Sequence, residues 1–135
     1  MPYFASIIPV LRVVDLPRSV AWYRDHLGFS TDAFPTDTTP DSCILRRDGT
    51  ELMLRRIAPG SPVVLRTYEW DVYIRLSGGE LTQLLDHARR TTPLVRGPEI
   101  MPSGEVEFEL EDPDGHRVCV AEQLEDTRGF PRAVA

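Results

Sequence analysis

Ile7–Phe29, IIPVLRVVDLPRSVAWYRDHLGF, decides how the rest of the chain is read. Ile7 to Val14 is β-branched and apolar with a single charge, the composition of a strand buried on both faces. Proline cannot donate to a strand ladder, so Pro9 marks an edge strand or a bend. Asp15 can then cap a helix, and Pro17 sits where a missing N–H costs nothing. Leu16, Val20, Tyr23 and Leu27 recur at helical spacing and form one apolar stripe. Gly28 ends the helix. Phe29 is expected to open a strand reaching Ala33 or Phe34.

The counterpart of this stretch is Phe108–Val120, FELEDPDGHRVCV. Residues 104–111 alternate strictly, with Val106, Phe108 and Leu110 on one face and Glu105, Glu107, Glu109 and Glu111 on the other. Asp112-Pro113-Asp114-Gly115 reads as a turn. It lacks the spacing and final glutamate of a calcium loop. Arg117–Gln123 is the last strand, and Leu124–Ala135 is expected to be a loose arm.

Between these ends, residues 35–41 read as a turn-rich loop. Residues 42–47 and 51–57 read as a hairpin around Asp48-Gly49. Residues 59–66 read as a linker, and Trp70–Leu76 as a strand. Ser77-Gly-Gly-Glu80 has a capping-box pattern, followed by a helix with Leu81, Leu84, Leu85 and Ala88 on one face. Leu94–Met101 reads as a proline-interrupted edge strand. The order strand, helix, three strands thus occurs twice, with a break near Val63. Module one covers about residues 1–62, module two about 63–123, and the arm 124–135, in one domain. The fold class is α+β: two βαβββ modules in a partly open, barrel-like sheet around a cavity, helices outside. The faces not covered by helices must meet each other, a partner chain or a ligand.

Composition narrows the function. The chain has 135 residues, 41% hydrophobic and 27% charged, with a formal net charge of -6. An acidic chain lacks the basic face that nucleic acid requires, and no apolar run is long enough to span a membrane. All 15 basic residues are arginine, so Schiff-base chemistry through lysine is excluded. Two cysteines, Cys43 and Cys119, make no disulfide framework, and no signal peptide is evident. The expectation is a cytoplasmic protein with reduced thiols.

The motif VxDLxxSxxWYxxxLGF from Val13 to Phe29, and DPDGHxVxV from Asp112 to Val120, resemble the vicinal oxygen chelate superfamily. That superfamily groups glyoxalase I, bleomycin-resistance proteins and extradiol dioxygenases. The phrase from Ile8 to Asp32, with Pro9 ahead of Asp15, looks most like the bleomycin-resistance branch. The resemblance implies a homodimer in which the N-terminal strand can be exchanged, with Pro9 as hinge. One scaffold hosts many chemistries, so function has to come from the site.

Carried over residue by residue, the superfamily's metal ligands fall at Ile8, near Met53 or Leu54, at about Asp71, and at Cys119. Only Asp71 and Cys119 offer suitable donors, too few for a divalent ion. The expectation is no metal, no cofactor and no catalytic residue. His26, His87 and His116 read as surface side chains.

Alternation turns Ile8, Val10, Arg12, Asp71, Tyr73, Arg75, Arg117, Cys119 and Ala121 toward the cavity. Leu11, Val13, Val72, Ile74, Phe108, Leu110, Val118 and Val120 turn toward the helices. Phe34, Trp70 and Tyr73 could stack a planar ligand, with Glu107 and Glu109 pairing its cationic groups. The bland alternative makes the glutamates a solvated sheet face and the aromatics ordinary packing. For Glu105 and Glu111 that alternative is the better one. Trp22 and Tyr23 read as core. Arg12 and Arg75 either neutralise the glutamates or bind an anionic group. Cys119 beside Arg117 is a candidate nucleophile, but a small residue filling a vacated ligand position is the stronger reading. The ligand-binding candidates are therefore Arg12, Phe34, Trp70, Asp71, Tyr73, Arg75, Glu107, Glu109 and Cys119.

Three functions compete. The first is a metal-independent binding protein holding an aromatic or cationic small molecule, such as an antibiotic, in a dimer groove. The second is a metal-dependent lyase, isomerase or dioxygenase of the same superfamily with displaced ligands. The third is a non-catalytic interaction or sensor domain.

Overall fold

The computed structural model describes residues 2–35, 41–65 and 69–134. Most of the turn-rich loop at 35–41, and Arg66 at the end of the linker, lie outside them. The described chain forms two compact units, Met1–Val64 and Leu65–Ala135. Its strands make two separate sheets of three and four strands, and neither closes into a barrel.

In the first unit, β1 (Val10–Val13) precedes α1 (Leu16–Leu27), β2 (Ser42–Arg47) and β3 (Thr50–Arg56). Asp15 accepts the Arg18 amide at 3.1 Å and caps α1, Pro17 lies in its first turn, and Gly28 ends it at φ 72°. Leu16, Val20, Tyr23 and Leu27 are all buried, as the helical stripe requires. β1 pairs parallel with β3, and β3 antiparallel with β2. The β2–β3 turn places Asp48 and Gly49 at positive φ, the geometry that suits a two-residue hairpin. The strand expected from Phe29 is reduced to one bridge between Ser30 and Arg46. Phe29 itself is buried against Tyr23, ring centroids 6.1 Å apart, so packing on α1 takes the place of strand pairing there.

In the second unit, β4 (Val72–Leu76) precedes α2 (Glu80–Thr91), β5 (Arg96–Ile100), β6 (Val106–Glu111) and β7 (Arg117–Glu122), in the sheet order β4-β7-β6-β5. β4 runs parallel to β7, and the other pairs are antiparallel. Each unit therefore pairs its first strand in parallel with its last. Val106, Phe108, Leu110, Val118 and Val120 are fully buried, each worth about 1.5–3 kcal/mol in apolar transfer.

Two expectations fail here for definite reasons. Ser77 and Glu80 do not form a capping box. The helix begins at Gly79 with no cap from a neighbouring side chain. Buried Glu122, at the end of β7, instead accepts the Gly79 and Leu81 amides at 2.6 and 2.9 Å. A carboxylate at a helix N-terminus meets both the free N–H groups and the positive end of the dipole. The C-terminal arm is not loose either: Ile100 donates to the Pro131 carbonyl and accepts from the Ala133 amide, extending the β5 edge.

Because Glu122 satisfies two α2 amides from another element, Glu122→Gln should destabilise the protein by about 1–3 kcal/mol. Asp15→Ala, removing a local and exposed cap, should cost about 1 kcal/mol. Urea unfolding of the two variants tests the ranking; an equal or reversed order would contradict it.

Candidate functional site

The face of the four-stranded sheet opposite Phe108 and Val120 carries the richest chemistry among the described residues. Register sets its rows. Tyr73, Cys119, Glu109 and Arg96 lie side by side across β4, β7, β6 and β5. Arg75, Ala121, Glu107 and Glu99 form the adjacent row.

Arg96 is the hub. Its Nη1 lies 2.6 Å from Glu99, its Nη2 2.9 Å from Glu107 and its Nε 3.0 Å from Glu109. Burial weakens its charge, but the three carboxylates outweigh that and hold the guanidinium firmly protonated. Glu107 and Glu109 are only 5% and 8% exposed. They are therefore not a solvated sheet face, and burial of such groups is tolerable only with partners. Glu107 also accepts the Tyr73 hydroxyl at 2.8 Å and the Cys119 thiol at 3.5 Å. Burial pushes its pKa up, yet the Arg96 and Tyr73 hydrogen bonds prevail and the net shift is downward. One guanidinium faces three carboxylates, so the cluster keeps an excess of negative charge.

β5 can come this close because of Gly97. It sits at φ 80°, and a Cβ there would collide with the Glu107 carbonyl. The β5–β6 register shifts between Arg96 and Glu99, which brings both side chains over β6. Sequence reading missed Arg96 because Gly97 and Pro98 break the alternation of its strand. The available signal was charge: a lone arginine on an edge strand beside a row of four glutamates.

The remaining candidates are placed as follows. Trp70 stands beside Tyr73, centroids 5.0 Å apart, and forms an aromatic shelf at the edge of the acidic rows. Arg75 pairs with Glu105 at 3.1 Å and lies 5.8 Å from the Tyr73 ring centre. Asp71 accepts the Arg117 amide at 2.9 Å and fastens the start of β7 to the start of β4. Cys119 is fully buried; burial, and then the charge of Glu107, push its thiol pKa up. That is opposite to the lowered value a nucleophile needs. Arg12 and Phe34 belong to the first unit, where Arg24 lies over the Phe34 ring at 5.0 Å.

The residues do not fit the metal site that the resemblance implies. Ile8 has no donor atom. Leu54 is buried in the core, and Met53 offers a thioether. Asp71 is committed to a backbone amide, and Cys119 is a neutral thiol on Glu107. Asp112, Asp114 and His116 do bring donor atoms within 4.8 Å of one another. Their bonding, however, is that of a turn. Asp112 Oδ1 accepts the Asp114 and His116 amides, each at 2.9 Å, and Oδ2 meets His116 Nδ1 at 2.8 Å. His116 is thus buried, 3% exposed, and not the surface side chain expected. A histidine sealed by an aspartate four residues earlier is a tertiary outcome that residue type does not announce.

The superfamily pattern Glyoxalase/Bleomycin resistance protein/Dioxygenase matches residues 4–120. No curated protein matches the chain in sequence. Among solved structures, TioX from Micromonospora sp. ML1 is similar at 20% identity, with a TM-score of 0.68, covering 90% of this chain and 100% of that one. A glyoxalase/bleomycin resistance protein/dioxygenase from Nocardioides is similar at 19% identity, with a TM-score of 0.64, covering 100% of this chain and 92% of that one. An integron cassette protein from the mobile metagenome of Vibrio cholerae is similar at 20% identity, with a TM-score of 0.64, covering 92% and 98%. At these identities the likeness concerns the fold.

Two predictions follow from the cluster and its thiol. Arg96→Gln should cost about 3 kcal/mol near neutral pH, because buried carboxylates lose their counter-charge. Protonation relieves that excess charge, so the deficit should shrink as pH is lowered toward about 4; a deficit that stays constant from pH 7 to 4.5 would contradict this. The wild-type Glu107 contribution narrows the gap in the same direction. Its folded pKa lies below the ordinary 4.5, so its stabilisation is present above that pH and is lost as pH falls through the depressed value. In the native protein, a thiol reagent at pH 8 should modify half-buried Cys43 and spare Cys119 until denaturant is added. Prompt labelling of both would show Cys119 to be accessible or ionised.

Proposed function

The chain belongs to the glyoxalase/bleomycin resistance protein/dioxygenase superfamily, and on that premise we propose that it is a metal-independent binding protein for a planar, cationic small molecule. The observation that carries this reading is the excess of carboxylate around Arg96 beside the Trp70–Tyr73 shelf. An aromatic cation gains stacking from the shelf and Coulombic attraction from the carboxylate excess, in a partly dry environment where that attraction is stronger than in water. Tyr73 contributes its ring, since its hydroxyl is engaged by Glu107 and burial holds its proton in place. The donor atoms at the superfamily's metal positions favour binding over metal-assisted chemistry. Sequestration of an antibiotic is the role this activity would serve. In the same reading the ligand lies in a homodimer groove, because Tyr3, Phe4 and Ile7 are 85%, 96% and 90% exposed and available to a second copy. Sedimentation of the free protein as a monomer would remove that last element.

Titration calorimetry with bleomycin, proflavine and ethidium, before and after dialysis against EDTA, tests the proposal. Saturable binding that survives EDTA and weakens by about tenfold in Glu107→Gln and in Tyr73→Ala is expected. No binding across the panel would sink it. A stoichiometric metal whose removal abolishes binding would turn the assignment to a metal-dependent enzyme.

A further inference from the structure

The three-stranded sheet of the first unit also has a face turned away from its helix, and its chemistry is different. Arg12 on β1 and Arg55 on β3 are register partners in the parallel pair. Their neighbours Leu11 and Leu54 are buried on the side that carries α1, so the two arginines leave from the opposite face, where both are exposed. Ser42 on β2 continues their row. The adjacent row is apolar: Val10, Met53 and Ile44, of which Val10 is half exposed. One row further on, Glu51 is already paired with Arg46 at 3.2 Å.

Neither Arg12 nor Arg55 has a hydrogen-bonding or ion-pair partner for its side chain among the described residues. Like charges placed directly opposite one another across strands are destabilising. The chain has no shortage of acid to relieve them, with 21 aspartates and glutamates against 15 arginines. Arg46, Arg75, Arg96, Arg117 and Arg128 each have a carboxylate partner. Two guanidiniums side by side, without a carboxylate partner among the described residues and next to an apolar row, offer a fork of donors for a carboxylate and a surface for a flat hydrocarbon body.

We propose that this face is an anion-binding site that takes the carboxylate of a small apolar acid, with Arg12 and Arg55 gripping the charge and Val10, Met53 and Ile44 seating the body. It stands on residues separate from the acidic face of the four-stranded sheet, so either assignment can fail without the other. Guarding of the β1 edge against strand pairing is the rival role for these charges, and it requires no ligand.

The test is an NMR titration of the full chain with 2-naphthoate at low salt, with 2-naphthamide as the uncharged control. Naphthoate should bind saturably and shift the amides of β1 and β3, and naphthamide should not. Affinity should fall by about tenfold or more in Arg12→Gln and in Arg55→Gln, and should weaken with added salt. Arg90→Gln, on the exposed end of α2, should leave it unchanged. Both tested positions are exposed, and retained amide dispersion confirms that each variant folds. Absence of saturable binding, shifts confined to other strands, or wild-type affinity retained in either variant would overturn the proposal and leave edge protection as the role of the pair.

Discussion

The guanidinium of Arg96, shared by three glutamates, sets the character of the four-stranded sheet. Taking a carboxylate out of water costs several kcal/mol unless its charge is met and its lone pairs are filled. Glu107 is buried, and Arg96, Tyr73 and Cys119 all donate to it. That bonding explains three neighbouring facts at once. Tyr73 keeps its proton, Cys119 is a neutral thiol, and β5 must approach β6 closely enough that position 97 tolerates only glycine. A face held this firmly has its charges fixed in place before anything meets it.

The two units repeat one plan and diverge in chemistry. Each lays its first strand parallel to its last, and each sends alternate residues to a helix-covered core. The other alternate residues are where they differ. The four-stranded sheet shows glutamates and aromatics; the three-stranded sheet shows arginines and aliphatics. Membership of the superfamily accounts for the shared plan and leaves the difference unexplained, because a scaffold transmits geometry and not ligand chemistry. The positions corresponding to metal ligands illustrate this. Asp71 has become a clasp between β4 and β7, and Cys119 fills space beneath Glu107.

Much of this was legible from local pattern. α1 carried its start, its stripe and its stop within one stretch, since capping and helical periodicity act over a few residues. The alternation of β6 and β7 correctly separated the core face from the polar face, because side-chain period 2 needs no knowledge of the partner strand. The Asp48-Gly49 hairpin and the DPDG turn were equally local. What escaped were long-range pairings. The α2 cap comes from Glu122, 43 residues beyond Gly79. The strand expected after Phe29 dissolves into packing on Tyr23. The arm after Leu124 finds the β5 edge through Ile100.

The sequence by itself determined the order of the two helices and of every strand but the one expected at Phe29, and the parity that puts Tyr73, Glu107, Glu109 and Cys119 on one face. These follow from dihedral preferences and hydrophobic period, which each short segment carries in its own residues. Only the tertiary structure decided how those side chains are charged and bonded. Glu107 and Glu109 share Arg96, Arg75 belongs to Glu105, and Arg12 stands beside Arg55 with no acid among the described residues to answer it. Ion pairing depends on separations of about 3 Å between atoms from different strands, and strand neighbours are set by the fold of the whole unit.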